Sequence, residues 1–338
     1  MNGIDLEAGA ADEILRRDIL PLYFPDSPGD EAPLFVLVAG QPGAGRARAA
    51  SSVTRDHGGD LAVLSGDELR AFHPGFAAGP TDEDAELGTS ITQTVAGWVS
   101  ACIRYARENR RSVALEGTFG NAQAAAGTTQ RFADAGFTTR VVVVGSRRAE
   151  SLLSVTSGPL RDLQAGRPSR FTSRAAHDTG IEATHALLTS LELSAWAERV
   201  TVVSRDGRKI FDATRYEVAS GFEGASAAVR AAQSVRMSRF DATQWLSELH
   251  HATQFAASAR GLPGEVAELL VDLHETSLRE VIPQLHVPAE GKFATAMEQK
   301  TVAALVALRQ TMPQPQRPID VTAPVIAPAG PERGGVSR

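Results

Sequence analysis

The apolar run from Pro33 to Gly40 (PLFVLVAG) passes without a break into a glycine-spaced loop, Gly40-Gln41-Pro42-Gly43-Ala44-Gly45, and then into Arg46, Ala47 and a helical pattern. An apolar run bounded by turn residues is what a strand buried on both faces of a parallel sheet requires. Strand, glycine loop and helix in that order describe a phosphate-binding loop, where glycine permits the left-handed angles that aim successive N–H groups at one anion. Such a start commits the chain to a layered α/β fold with its ligand at the carboxyl ends of the strands.

Runs of the same kind recur at Leu61 to Leu64, Ser112 to Glu116, Thr139 to Gly145 and Arg199 to Ser204, with helical patterns between most of them. The alternation predicts a P-loop NTPase-like parallel sheet flanked by helices. Asp206 and Gly207 between two apolar runs predict a hairpin closing one sheet edge. A short helix over 12–24 precedes the first strand, and the α/β domain is expected to span 1–216. Residues 217–312 read as a helical appendage broken at Gly261 and Pro263. Residues 313–338, rich in Pro and Gly without periodicity, are expected to be disordered. A length of 338 residues suits two such units.

No apolar run approaches the length of a membrane span, and a net charge of -6 with interleaved signs supplies no field for nucleic acid or a membrane surface. Small-molecule partners are expected. Cys102, the single cysteine, cannot form an internal disulfide, and the acidic start MNGIDLEAGAADEILRRD lacks the basic flank and apolar stretch of a signal peptide. The cytoplasm is the expected compartment.

The loop's end departs from a working nucleotide site. Lysine for the β/γ-phosphates and a hydroxyl for Mg²⁺ are replaced by Arg46 and Ala47. All but three of the 34 basic residues are arginine, which accounts for Arg46 as a compositional drift but not for Ala47. A dinucleotide fingerprint starting at Gly43 would need Gly or Ala where Arg48 stands, which counts against hydride transfer. A glycine-rich turn without a ligand is the plain alternative.

With this loop, the segments LSGDELRAFHPGF (Leu64 to Phe76), LEGTFG (Leu115 to Gly120) and GRPSRFTSRAAHD (Gly166 to Asp178) make the chain resemble the zeta toxin family over about residues 12–215. The resemblance implies a P-loop kinase that uses ATP and Mg²⁺ when active, phosphorylates UDP-N-acetylglucosamine on its sugar hydroxyl, and is partnered by an antitoxin. It makes Asp67 the base and Arg170 a phosphate-contacting arginine, and residues 40–47 the nucleotide loop. Read alone, Asp67 is better explained as a helix cap, and Glu116-Gly117-Thr118 equally well as a strand-end turn. The resemblance favours substrate binding by Glu116 and Thr118, with His73 in a loop that shapes the sugar pocket. A further arginine expected near residues 157–158 is absent, since Ser157 and Gly158 stand there and Arg161 lies almost a helical turn away. Two readings follow: a UDP-N-acetylglucosamine kinase of doubtful activity, or a noncatalytic pseudokinase that binds a sugar nucleotide or a protein partner.

Overall fold

The apolar runs become strands of one sheet, because each is long enough to cross it and too apolar to face water on either side. In this computed structural model the described residues are 8–311, apart from 27, 59, 77–84, 219–220, 260–261 and 286–290. The tail expected over 313–338 and the break at Gly261 lie outside them. Strands β1 (Leu34–Ala39), β2 (Ala62–Ser65), β3 (Val113–Gly117), β4 (Thr138–Gly145), β5 (Arg199–Ser204) and β6 (Lys209–Thr214) form a sheet in the order β2-β3-β1-β4-β5-β6. The first five are parallel. β6 returns antiparallel on β5 through a turn at Gly207, the hairpin that Asp206-Gly207 predicts.

Helices α1 (Ala8–Ile14), α2 (Leu20–Tyr23), α3 (Arg46–Asp56), α4 (Gly66–Leu69), α5 (Ala85–Glu108), α6 (Ala122–Asp134), α7 (Arg148–Gln164), α8 (Arg174–Leu193) and α9 (Ala225–Ser234) surround the sheet. α9 packs on β4 and β5, so the α/β layer continues past residue 216. The appendage proper is α10 (Arg239–Ser258), α11 (Gly264–Thr276) and α12 (Lys292–Thr311).

The appendage is not a separate body. Its Trp245, Leu249, Leu269 and Leu273 share one apolar core with Leu152 and Leu160 of α7 and with Phe171. Trp245 Nε1 donates to the Ala149 carbonyl at 2.9 Å, so even the polar edge of that ring is satisfied by α7. Among the described residues no helix is long and apolar enough to cross a membrane.

Strand order reverses direction at β1, which has β3 on one side and β4 on the other. The crevice at such a switch point opens beyond the strands' carboxyl ends, where the glycine loop, the β2–α4 junction and the end of β3 converge.

Candidate functional site

The loop keeps the shape its glycines predict. Gly43 and Gly45 have φ of 75° and 99°, and a Cβ on Gly43 would collide with the Ser151 carbonyl oxygen. Buried Gln41 fastens the loop from behind: its Nε2 donates to the Ser146 carbonyl at 2.9 Å and to Ser151 Oγ at 3.3 Å. On the other flank α8 passes so near that a Cβ on Gly180 would lie 2.5 Å from Pro42 Cδ. Ala44 is fully buried.

Arg46 occupies the lysine position differently from a point charge. Its Nη1 donates to the Gly40 carbonyl at 3.1 Å, and its Nη2 lies 3.9 Å from Asp67 Oδ2. Only 14% of the side chain is exposed. Burial pulls the guanidinium below its ordinary value, opposed by the carboxylates of Asp67 and Glu116. Ala47 presents a methyl group where the loop's metal ligand belongs, so the loop does not fit a Mg²⁺ ion.

Arg205, just after β5, is a second cation on the loop. It donates to the Gly43 carbonyl and, at 2.5 Å, to Ser154 Oγ. Nothing in its sequence context singles it out, since the contact spans 162 residues.

Asp67 is the second residue of α4 rather than its cap, and its side chain is 82% exposed to the crevice side of the sheet end. Glu116 sits in register with Ser65 of β2 and Val38 of β1, half-buried. Burial pushes its carboxyl up, opposed by Arg46, while Glu68 and Asp67 push the same way as burial. Thr118, also half-buried, turns its methyl toward α8, 3.4 Å from where a Cβ on Gly180 would stand. Asp67, Arg70 and Arg170 line one cavity of about 950 Å³ together with residues of α11. Burial pulls Arg70 down, and the neighbouring Arg170 adds to that.

His73 is not brought to this cavity's surface. It is 1% exposed, its Nδ1 accepts from the Gly75 N–H at 3.1 Å, and its ring lies near Trp98. It braces the 73–76 loop from inside. The region where the family resemblance expects a further arginine is also turned away from phosphate chemistry. Ser157 donates to Glu248 of α10, and Arg161 pairs with the same carboxylate at 3.2 Å.

Behind the loop runs a polar chain that spacing does not reveal. Ser151 Oγ meets His177 Nε2 at 2.9 Å, His177 Nδ1 meets Asp178 at 3.1 Å, and Asp178 accepts from Arg148 Nε at 2.9 Å. Arg148 also donates to Asp272 of α11 at 2.8 Å. Serine, histidine and aspartate stand in the order of a hydrolytic triad, but Ser151 and His177 are fully buried, so no substrate reaches the hydroxyl. Burial holds His177 below its ordinary value, against the pull of Asp178. A neutral ring donating to Asp178 and accepting from Ser151 satisfies both nitrogens.

The family model described as "Zeta toxin" matches residues 23–215. The chain is 22% identical over 183 residues to toxin zeta of Enterococcus hirae and 21% identical over the same length to toxin zeta of Streptococcus agalactiae. Each match covers 54% of this chain and under two thirds of the relative, 64% and 63% respectively. A solved structure from a study of the PezAT chromosomal toxin-antitoxin system of Streptococcus pneumoniae superposes with a TM-score of 0.62 at 16% identity, over 75% of this chain and 100% of the other. At that identity the likeness is one of fold.

Proposed function

The chain belongs to the zeta toxin family, and from that premise we propose that it holds a sugar nucleotide, UDP-N-acetylglucosamine or a close analogue, in the crevice without transferring phosphate at a toxin's rate. The observation that carries this reading is the position of Arg46, folded onto the Gly40 carbonyl and against Asp67. A broad planar guanidinium is no substitute for a compact ammonium within a backbone cradle.

Other residues point the same way. Ala47 gives the metal no oxygen, and Ser157 and Arg161 are engaged with Glu248 instead of facing a phosphate. One lost transition-state donor costs about 10² to 10³ in rate, and a lost arginine finger about 10³ or more. Asp67, Glu116 and Thr118 retain the groups that accept from or donate to sugar hydroxyls, and Arg170 lines the cavity where a guanidinium can meet an anionic group. A protein partner of the antitoxin kind belongs to the same proposal, on the strength of the family.

A working kinase with ATP and Mg²⁺ is the second reading, favoured by the exposed Asp67 carboxylate near the loop, placed where it could accept a hydroxyl proton. Calorimetry with UDP-N-acetylglucosamine, run beside a transfer assay containing ATP and Mg²⁺, separates the two. The proposal expects sugar-nucleotide binding that weakens in Glu116→Gln, with no phosphorylated sugar above the protein-free rate. Product from the unchanged chain that disappears in Asp67→Ala establishes the kinase and overturns the proposal.

A further inference from the structure

We propose that the helical appendage supplies one wall of the acceptor cleft, with Glu265 and Glu268 of α11 acting as specificity-determining residues for the hydroxyl and amide donors of a sugar nucleotide. This rests on the reading that the cleft holds such a ligand.

The cavity that contains Asp67, Arg70 and Arg170 is closed on its other side by Pro263, Gly264, Glu265 and Glu268. Glu265 and Glu268 are three residues apart, hence on one face of the helix. The opposite face, Val266, Leu269, Leu270 and Leu273, is buried in the core shared with α7. α11 therefore presents its carboxylates to the cavity because its apolar face is already committed. A glutamate in a first helical turn also suits the helix dipole, which accounts for Glu265 but not for Glu268.

Opposite charges line this cavity without meeting. Among the described residues no ion pair joins Glu265 or Glu268 to Arg70 or Arg170. The wall is also held rigidly, since Asp272 on the same helix takes a hydrogen bond from Arg148, and α10 is locked to α7 through Glu248. A cavity with guanidiniums and carboxylates both in its lining and unpaired with each other suits a ligand with an anionic end and a donor-rich end. Ionised carboxylates only accept, so they repel phosphate and select hydroxyl or amide N–H groups. The cleft thereby orients a sugar nucleotide, with diphosphate toward Arg170 and the sugar held between Asp67 and α11.

The test compares binding of UDP-N-acetylglucosamine and of UDP by calorimetry in the unchanged chain and in Glu265→Ala/Glu268→Ala. Both positions are exposed on a helix, where alanine is well tolerated. An isosteric Glu265→Gln/Glu268→Gln protein, checked by its melting temperature, covers the case in which the alanine pair misfolds. The expected result is about a tenfold loss of affinity for the sugar nucleotide with UDP binding within about twofold of the unchanged chain. An equal loss for both ligands, or no loss, overturns the role of α11 while leaving the sugar-nucleotide reading standing. If the unchanged chain binds UDP but gains nothing from the sugar, the role of α11 is likewise overturned. If it binds neither, the functional reading fails first and this inference with it.

Discussion

The guanidinium of Arg46 reaches from the Gly40 carbonyl to within 3.9 Å of the Asp67 carboxylate, bridging the glycine loop and the start of α4. The two groups stand near each other where the function proposed above brings phosphate and acceptor hydroxyl together. Replacing Arg46→Lys together with Ala47→Ser restores a compact ammonium and a metal-binding hydroxyl. We expect transfer to UDP-N-acetylglucosamine to rise by about 10² or more, read as phosphorylated sugar by chromatography. A doubly substituted protein as inactive as the original shows that the defect lies elsewhere in the site.

Two glycines of neighbouring helices should respond oppositely to alanine. At Gly180 a Cβ would press to 2.5 Å from Pro42 Cδ, and Gly180→Ala is expected to cost about 1–3 kcal/mol as α8 is forced from the loop. Gly158, inside α7, has nothing within 4 Å of the point a methyl group would occupy, and Gly158→Ala should gain up to about 1 kcal/mol. Urea unfolding midpoints of the two variants check both signs.

Acid should weaken the appendage through His274. Burial, helped by nearby His250, lowers His274 to about 4, and its Nε2 meets Thr253 Oγ1 at 3.0 Å. The folded value lies below the unfolded value of about 6.5. Stability from keeping this ring neutral is therefore full above about pH 6.5 and drains away as pH falls toward 4, by up to about 3 kcal/mol. His274→Gln should flatten that part of the stability profile, measured by thermal melts from about pH 7 to pH 4. An unchanged slope assigns the acid sensitivity to another group.

Cys102 should be silent toward thiol reagents. It is fully buried, and burial pushes its thiol up to about 11. Little thiolate exists at about pH 8, and none is accessible. Labelling should appear only with unfolding, following the same denaturant curve as circular dichroism. Rapid labelling of the native chain would mean that α5 opens locally.

The sheet was legible because strand burial on two faces leaves continuous apolar runs, and the loop because its glycines answer a backbone need local to a single turn of chain. Asp67 and Glu116 could be placed at strand ends for the same reason. Arg205 and Glu248 could not. Each works across the fold, Arg205 on Gly43 and Glu248 on Ser157, and a hydrogen bond between distant segments leaves no periodicity to read. His73 shows the reverse difficulty: its motif was visible, but whether the ring faces the cleft or the core depends on packing against α5. The boundary near 216 follows the end of the last strand, whereas α9, lying beyond it, still covers β4 and β5.

The core shared by α7 and the C-terminal helices joins those helices to the part of the chain that the family model matches. Cut after residue 215, where the family match ends, the protein would expose Leu152, Leu153, Leu160 and Phe171 to water. Such a fragment would present a contiguous apolar face and would be prone to clump.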